Sequence, residues 1–139
     1  MEVQVTGGGV EGRIVKVTPN GELVIAPLEY SGSTFQNMNV VDTAFNFHLP
    51  TSGKRLVVTG LVISTDRNVG VNGAVIEFYE ADSATSTTVD KTALRVDMAK
   101  NDILDIMGMN SIVAEGKFLN GKTDDANVLA TIFGYEVNV

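Results

Sequence analysis

Short runs of β-favouring residues, separated by turn residues, follow one another along most of the chain. Val, Ile, Thr, Phe and Tyr fill the runs, and Gly, Asn, Asp, Ser and Pro fall between them. About eight short strands at this spacing are typical of an antiparallel sandwich or barrel. We therefore predict an all-β fold, a single-domain antiparallel β-sandwich. The predicted strands lie near Arg13–Thr18, Glu22–Ala26, Ala44–Leu49, Lys54–Ser64, Ala74–Glu80, Val89–Asp97, Ser111–Glu115 and Val128–Val137.

The length of the chain indicates one domain. A chain of 139 residues buries about two thirds of its unfolded surface on folding, which is sufficient for a core without disulfides. The chain contains no cysteine, so it has neither a disulfide framework nor thiol chemistry. We assign residues 13–139 to the sandwich. Residues 1–12, which contain Gly7-Gly8-Gly9, are assigned to a flexible N-terminal arm.

Two short segments have a more specific local pattern. Asn20-Gly21 supplies two residues that tolerate positive φ, so it predicts a tight hairpin turn between the first two strands. In residues 100–107, Ile103, Leu104 and Met107 have helical spacing. This run is short, so the sequence predicts at most one short helix there.

Two further segments indicate contact with a partner. The run from Leu56 to Ile63 is apolar on both faces, and such an antiparallel strand is either central in its domain or covered by another subunit. Residues 28–42 form a long polar stretch without a strand pattern. A structureless loop of that length is uncommon in a compact domain and is often functional.

The charge pattern and the length of the apolar runs each argue against one class of partner. The 10 basic and 17 acidic residues give a net charge of −7, and the acidic residues are scattered singly. Nucleic-acid binding needs clustered Lys and Arg, whereas the basic residues here form a single pair, Lys54-Arg55. A membrane-spanning helix needs about 20 apolar residues, which no run provides. Neither nucleic acid nor membrane is therefore an expected partner.

Few residues are suited to catalysis. His48 is the single histidine, so a two-histidine metal site is excluded, and no Gly-x-Ser-x-Gly motif accompanies it. It follows Phe47 on the polar face of a strand, which is typical of a surface or interface histidine. Carboxylate pairs at spacing three, such as Asp102 and Asp105, lack the aromatic platforms of glycosidases, because the chain has no Trp. We predict that the protein is not an enzyme and has no cofactor.

Asp124 and Asp125 are the best candidate metal ligands. They lie in the oxygen-rich segment from Asn120 to Asn127, and Ca²⁺ takes carboxylate and carbonyl oxygens in flexible geometry. The spacing does not match an EF-hand, and Lys122 lies within the loop. The sequence is therefore compatible with a Ca²⁺ site, although an ordinary solvated turn explains the same residues.

Several motifs together resemble small virion structural proteins of tailed bacteriophages. The resemblance covers the chain from about Arg13 to its end. It is carried by Gly21-Glu22-Leu23-Val24-Ile25-Ala26-Pro27-Leu28-Glu29-Tyr30-Ser31 after the hairpin, Phe47-His48-Leu49-Pro50 with Gly53-Lys54, Ile76-Glu77-Phe78-Tyr79-Glu80, and Glu115-Gly116-Lys117-Phe118-Leu119-Asn120 with Gly134-Tyr135.

This resemblance implies a jelly-roll domain that assembles as a symmetric homo-oligomer, commonly a trimer, on a capsid surface. Such decoration or cement proteins are made in the host cytoplasm and bind the major capsid protein or another virion protein. The resemblance carries over no catalytic residue. We expect partner contacts from Val3, Val5 and Val10 of the arm and from Tyr30 and Phe35 of the polar segment.

A second hypothesis is a carbohydrate- or host-receptor-binding sandwich of a phage tail or baseplate. Exposed aromatic residues would then supply a stacking surface, and Asp124 with Asp125 would hold Ca²⁺. The candidate stacking residues are Tyr30, Phe35, Tyr79 and Tyr135.

Overall fold

A computed structural model of the protein describes the backbone of residues 2–7, 10–16 and 30–139 and the side chains of residues 32–139. These residues form ten strands and no helix. The strands are β1 (Glu2–Gly7), β2 (Val10–Lys16), β3 (Tyr30–Met38), β4 (Phe45–His48), β5 (Lys54–Thr65), β6 (Ala74–Ala81), β7 (Lys91–Met98), β8 (Ile103–Val113), β9 (Phe118–Thr123) and β10 (Val128–Asn138).

Eight of these strands form two four-stranded antiparallel sheets, which confirms the predicted all-β sandwich. The first sheet has the order β3-β10-β5-β8 and the second the order β4-β9-β6-β7. The pairing is nested, because β3 pairs with β10, β4 with β9, β5 with β8 and β6 with β7. Most connections therefore cross from one sheet to the other, and this brings residues far apart in sequence into the same core.

Alternating apolar residues of both sheets fill the core. Ile76 and Phe78 of β6 point inward and are buried, while Glu77 between them points away, as the alternation predicted. Phe78 meets Phe47 of β4 edge to face, with ring centroids 5.4 Å apart. Aromatic pairs in this arrangement contribute beyond their buried area.

β5 is the central strand with two apolar faces. Leu56, Val58, Leu61 and Ile63 lie in the core. The register shifts between Val58 and Gly60, and because of this shift the apolar residues of both halves of the strand face the core. Val57 is 6 % exposed although it is outside the core cluster. Neighbours on the outer face of the sheet therefore cover it, and both faces of β5 are partly buried.

The prediction that residues 28–42 form a structureless loop is wrong. Tyr30–Met38 is β3, an edge strand that pairs with β10 along its length. Its polar sequence hid it, because backbone hydrogen bonds to one neighbour hold an edge strand even when few of its side chains are buried. Met38 is its one fully buried side chain among those described.

The sequence also gave no indication of β9. Its residues Asn120 and Gly121 have the composition of a turn, yet both are buried in the second sheet. A Cβ at Gly121 would lie 2.7 Å from Phe47 Cε2 and 3.2 Å from Phe78 Cδ1. Glycine is therefore present because the two core rings occupy the space that a side chain would need.

The segment where a short helix was allowed is strand. Ile103–Val113 is β8, and it extends the predicted strand Ser111–Glu115 towards the N-terminus. Leu104 and Ile106 contact the core while Ile103 and Met107 are exposed. This period of two is the one that pairing with β5 requires, and it overrides the helical spacing.

The N-terminal residues that the structure describes form a separate hairpin. β1 pairs antiparallel with β2, with Val3 opposite Val15 and Val5 opposite Arg13. β2 overlaps the predicted strand Arg13–Thr18, and its described partner is β1. The predicted turn at Asn20-Gly21 and the strand Glu22–Ala26 lie outside the described residues, and the boundary between arm and sandwich stays a prediction.

Candidate functional site

A polar cleft opens between the two sheets beside the edge strands β3 and β4. It is a cavity of about 410 Å³. Its lining combines two apolar side chains with polar groups from β3, β4, β10 and the loop after β4: Thr34, Asn46, Phe47, His48, Leu49, Thr51 and Glu136.

The polar groups of the cleft converge on one carboxylate. Glu136 is 8 % exposed, and its Oε1 accepts a hydrogen bond of 2.7 Å from the Thr51 hydroxyl. His48 Nε2 lies 3.2 Å from the same oxygen. The Thr51 hydroxyl thus donates to the carboxylate of Glu136 and not to the imidazole of His48. The imidazole is therefore not placed to activate the hydroxyl as a nucleophile. The three side chains instead connect the second sheet, through β4, to β10 of the first.

Burial sets the protonation of His48. The pKa of the imidazole is lowered from its ordinary value of 6.5, because burial disfavours the charged form, while the negative charge of Glu136 acts in the opposite direction. The His48 side chain is 14 % exposed, so it is not a freely exposed surface histidine, and the interface alternative stays a prediction.

The lowered pKa of His48 predicts that the stability of the protein depends on pH. We expect the free energy of unfolding to be highest above pH 6.5 and to decrease as the pH falls below it, because the unfolded chain takes up the proton of His48 before the folded chain does. Urea denaturation at pH 7.5 and at pH 5.5 would measure this decrease. His48→Gln should remove it, since no other side chain has an ordinary pKa in this range.

Glu136→Gln is the second variant of this test. Without the negative charge of Glu136, the pKa of His48 should fall further, so the stability loss should extend to lower pH. An equal loss between pH 7.5 and 5.5 in wild type and His48→Gln would contradict the assignment of the effect to His48.

Asp124 and Asp125 do not point at a common centre. The carboxylate of Asp124 accepts a hydrogen bond of 2.7 Å from the backbone N–H of Val75, and that of Asp125 accepts one of 2.9 Å from Gly70. Among the described residues, no group of three His, Cys, Asp or Glu side chains is arranged to hold a metal ion. Asp124 thus binds the loop before β10 to the start of β6, and Asp125 binds it to the loop before β6.

Part of the outer face of the second sheet is covered by the chain itself. The 82–90 segment, which connects β6 to β7, folds back over Tyr79 and Asn120, and both side chains are fully buried. The Tyr79 hydroxyl donates to the carbonyl of Ser86 at 2.8 Å, and Asn120 Nδ2 donates to those of Ser83 and Ser86. Tyr79 therefore cannot act as an exposed stacking residue, and that part of the second hypothesis is wrong.

The rest of this face is charged and internally paired. Lys122 Nζ lies 3.7 Å from Glu77 Oε2 and 5.1 Å from the centre of the Tyr79 ring. The Thr92 hydroxyl donates to Glu77 Oε1 at 2.7 Å. The outer face of the second sheet is thus a solvated polar surface.

The outer face of the first sheet, the apolar face, carries few charges and combines large apolar side chains with small polar ones such as Ser33 and Thr131. Register places Phe35, Thr131, Val62 and Asp105 in one row across the four strands, on the side away from the core. The rows on either side are also mostly uncharged. Among the outward positions that the structure describes, Arg55 and Asp105 carry the charges. Five large apolar side chains are exposed on this face: Phe35, Ile103, Met107, Ile112 and Leu129.

Two strands of this face approach each other closely at Gly60. Gly60 of β5 lies beneath Met107 of β8, and a Cβ there would meet Met107 Sδ at 2.6 Å and the Ile106 carbonyl oxygen at 2.9 Å. A shallow depression of about 400 Å³ adjoins this area. It is lined by Gly32, Ser33, Thr59, Phe133, Gly134 and Tyr135.

The predicted partner residues fall in different places. Phe35 is 59 % exposed on the apolar face, and Tyr135 is half-buried on the same face. Tyr30 lies opposite Glu136 at the start of β3. Val3 and Val5 lie in β1 and Val10 in β2, and their side chains are outside the described part of the structure.

Sequence reasoning missed most of the apolar face. Ile103 and Met107 had been assigned to a possible helix, and Leu129 and Ile112 were not recognised as exposed. The alternation of Ile103, Asp105 and Met107 with inward residues was the signal that could have revealed them.

Comparisons identify no relative of this chain: no protein-family model, no curated protein and no solved structure matches it. In the part of the chain that the structure describes, no helix is long and apolar enough to cross a membrane.

Proposed function

We propose that this chain is a structural protein of a tailed-phage virion, an oligomeric capsid decoration or cement protein on the head surface. The observation that carries the proposal is the large apolar face on the first sheet, because a protein whose work is assembly needs such a surface more than it needs a catalytic pocket. The partners would be further copies of the chain, as a trimer, and the major capsid protein or another virion protein.

The strand pairing supports the jelly-roll part of the proposal. Nested pairs of β3 with β10, β4 with β9, β5 with β8 and β6 with β7 describe one long hairpin rolled into two sheets. Eight strands in two sheets with Greek-key connections define a jelly roll, a fold found in viral capsid proteins and lectins. The fold is also used for other functions, so the surface and not the fold carries the functional part.

The charge distribution is consistent with a structural role. The net charge of −7 favours solubility before assembly. The charged side chains of the second sheet pair with one another, which leaves that face suited to solvent. A decoration protein needs one such face exposed on the particle and another face towards its partners.

The test is the composition of purified particles. Phage particles whose genome encodes this chain would be purified by density gradient and analysed by mass spectrometry, and antibody-gold labelling would then locate the protein. We expect the chain in the particles and the gold on the heads. Its absence from washed particles, at a sensitivity that detects known minor proteins, would refute the proposal.

A carbohydrate- or receptor-binding module of a tail or baseplate is the alternative, and the polar cleft at Glu136 favours it. The cleft presents a buried carboxylate, an imidazole and hydroxyl groups beside the exposed Leu49. Gold labelling of tails, together with binding on a glycan array, would support this alternative. Labelling of heads with no glycan signal would support the decoration role.

A further inference from the structure

The two outer faces of the sandwich differ in what covers them. On the second sheet, the 82–90 segment covers Tyr79 and Asn120, whose side chains donate to its backbone carbonyls, and the rest of the face is polar. On the first sheet, Val57 is buried on the outer side, while Ile112 beside it and Phe35 and Met107 elsewhere on the same face remain exposed. Contiguous exposed apolar surface on a folded domain marks an interaction site.

The apolar face contains both a protrusion and a matching depression. The depression of about 400 Å³ has Gly32 and Gly134 in its lining, with Phe133 and Tyr135 at its walls. Phe35, at 59 % exposure, lies two residues along β3 from Ser33, which also lines the depression. Two residues of a strand span about 7 Å, so protrusion and depression lie side by side on one face.

A face of this kind complements a copy of itself. In a two-fold pair, each copy would place its Phe35 ring into the depression of the other, because isologous contacts exchange the same two patches. In a three-fold assembly, the Phe35 side chain of each copy would enter the depression of the next copy. Aromatic anchors that enter a pocket near the centre of an interface provide most of its binding energy.

Charge also selects this face for contact between copies. Each copy carries a net charge of −7, so two copies repel one another least when they meet through a surface with little charge. The outward positions of the first sheet carry one positive residue, Arg55, and one negative residue, Asp105. No net charge accumulates when two such faces meet.

The area of the face is sufficient for a specific contact. Four strands about 4.8 Å apart give a width of about 20 Å, and the 9 residues of β3 give a length of about 30 Å. The face therefore covers roughly 600 Å², which is the lower end of what each partner buries in a stable interface.

From these four observations we infer that the outer face of the first sheet binds a second copy of this chain, with Phe35 of one copy in the Gly32–Gly134 depression of the other. The inference rests on the proposed function, because it identifies the surface by which the structural protein assembles. It can fail while that function stands, since the capsid shell could occupy the same face.

The experiment is the solution mass of the full-length protein by light scattering on a size-exclusion column, over a concentration series. We expect a wild-type oligomer. Phe35→Ser removes the protrusion and Ser33→Trp fills the depression, so each should raise the dissociation constant at least tenfold, as loss of an interface anchor does. Val71→Ser is the matched control, because Val71 is 90 % exposed and lies outside the face.

Each outcome has a separate meaning. Far-UV circular dichroism and the melting temperature, measured on dilute protein, would show that the variants are folded. A wild type that stays monomeric at about 100 μM, well above a typical micromolar affinity, would overturn the inference and leave the particle analysis as the test of function. An oligomer unaffected by both substitutions, or one that Val71→Ser dissociates equally, would overturn it as well.

Discussion

Replacing Gly73 with alanine is expected to lower the free energy of unfolding by about 3 kcal/mol or more, since positive-φ strain and backbone overlap combine. Gly73 has a φ of +76°, a conformation that residues with a side chain rarely adopt. A Cβ at this position would also collide with the carbonyl group of Met98. Because the colliding atoms are backbone, no side-chain rotation relieves the overlap.

The Gly73→Ala substitution should shift the turn that precedes β6. Gly73 donates a hydrogen bond of 2.8 Å to the carbonyl of Gly70, and Ala74 immediately after it pairs with Met98. Displacing this turn would disturb the first ladder contact between β6 and β7. Chemical denaturation with urea would measure the change.

Gly53→Ala is the matched control for Gly73→Ala. Gly53 has nearly the same φ, +73°, but a Cβ there meets nothing within 4 Å. This substitution should therefore cost about 1 kcal/mol, the strain of the left-handed conformation alone. Equal losses in the two variants would show that the Met98 contact adds nothing and would contradict the prediction.

Phe78→Ala is the second large effect, with an expected loss of about 3–5 kcal/mol. Phe78 is 1 % exposed and packs edge to face on Phe47. Removing the ring leaves a cavity, and Gly121 beside it offers no side chain that could fill the space. The midpoint of urea denaturation should fall with little change in the slope.

Leu49→Ala controls for the loss of a large apolar side chain at the surface. Leu49 is among the most exposed apolar residues and lies outside both sheets. Its truncation should change the free energy of unfolding by no more than about 0.5 kcal/mol. If Phe78→Ala cost as little as this, Phe78 would not be a packed core residue.

The period of two in the sequence was sufficient to predict the inner strands β5 and β6. Ile76 and Phe78 alternate with polar residues in β6, and the long apolar run of β5 indicated a central strand. Both predictions depend on side chains whose burial is encoded locally, since neighbouring residues of a strand point to opposite faces. The all-β sandwich followed from many such runs.

The strands that the sequence did not reveal are those whose stability comes from their neighbours. β3 can be polar because its pairing with β10 holds it at the edge of the sheet. In β9, the 82–90 segment accepts the hydrogen bonds of Asn120, and the core rings occupy the space beside Gly121. Composition alone places these residues in loops and turns. Their strand conformation is a property of the assembled sheets.

The cleft likewise exists only in the folded protein. Thr51 and Glu136 are 85 positions apart in the sequence, and nothing near either residue indicates the other. His48 could be recognised as the single histidine, but the lowering of its pKa results from burial between the sheets, which outweighs the opposite effect of Glu136 in the other sheet. Sequence spacing does not encode such contacts.

By itself, then, the sequence determined the class of fold, the absence of cysteine and of a basic surface, and the two-sided apolar character of β5. The tertiary structure decided which apolar residues remain exposed on the surface of the sandwich. Phe35, Met107 and Leu129 lie far apart in the chain and form one surface because β3, β10, β5 and β8 lie side by side. The physical reason is that alternation specifies two faces for each strand, while strand order decides which faces meet a neighbouring sheet and which remain open to a partner.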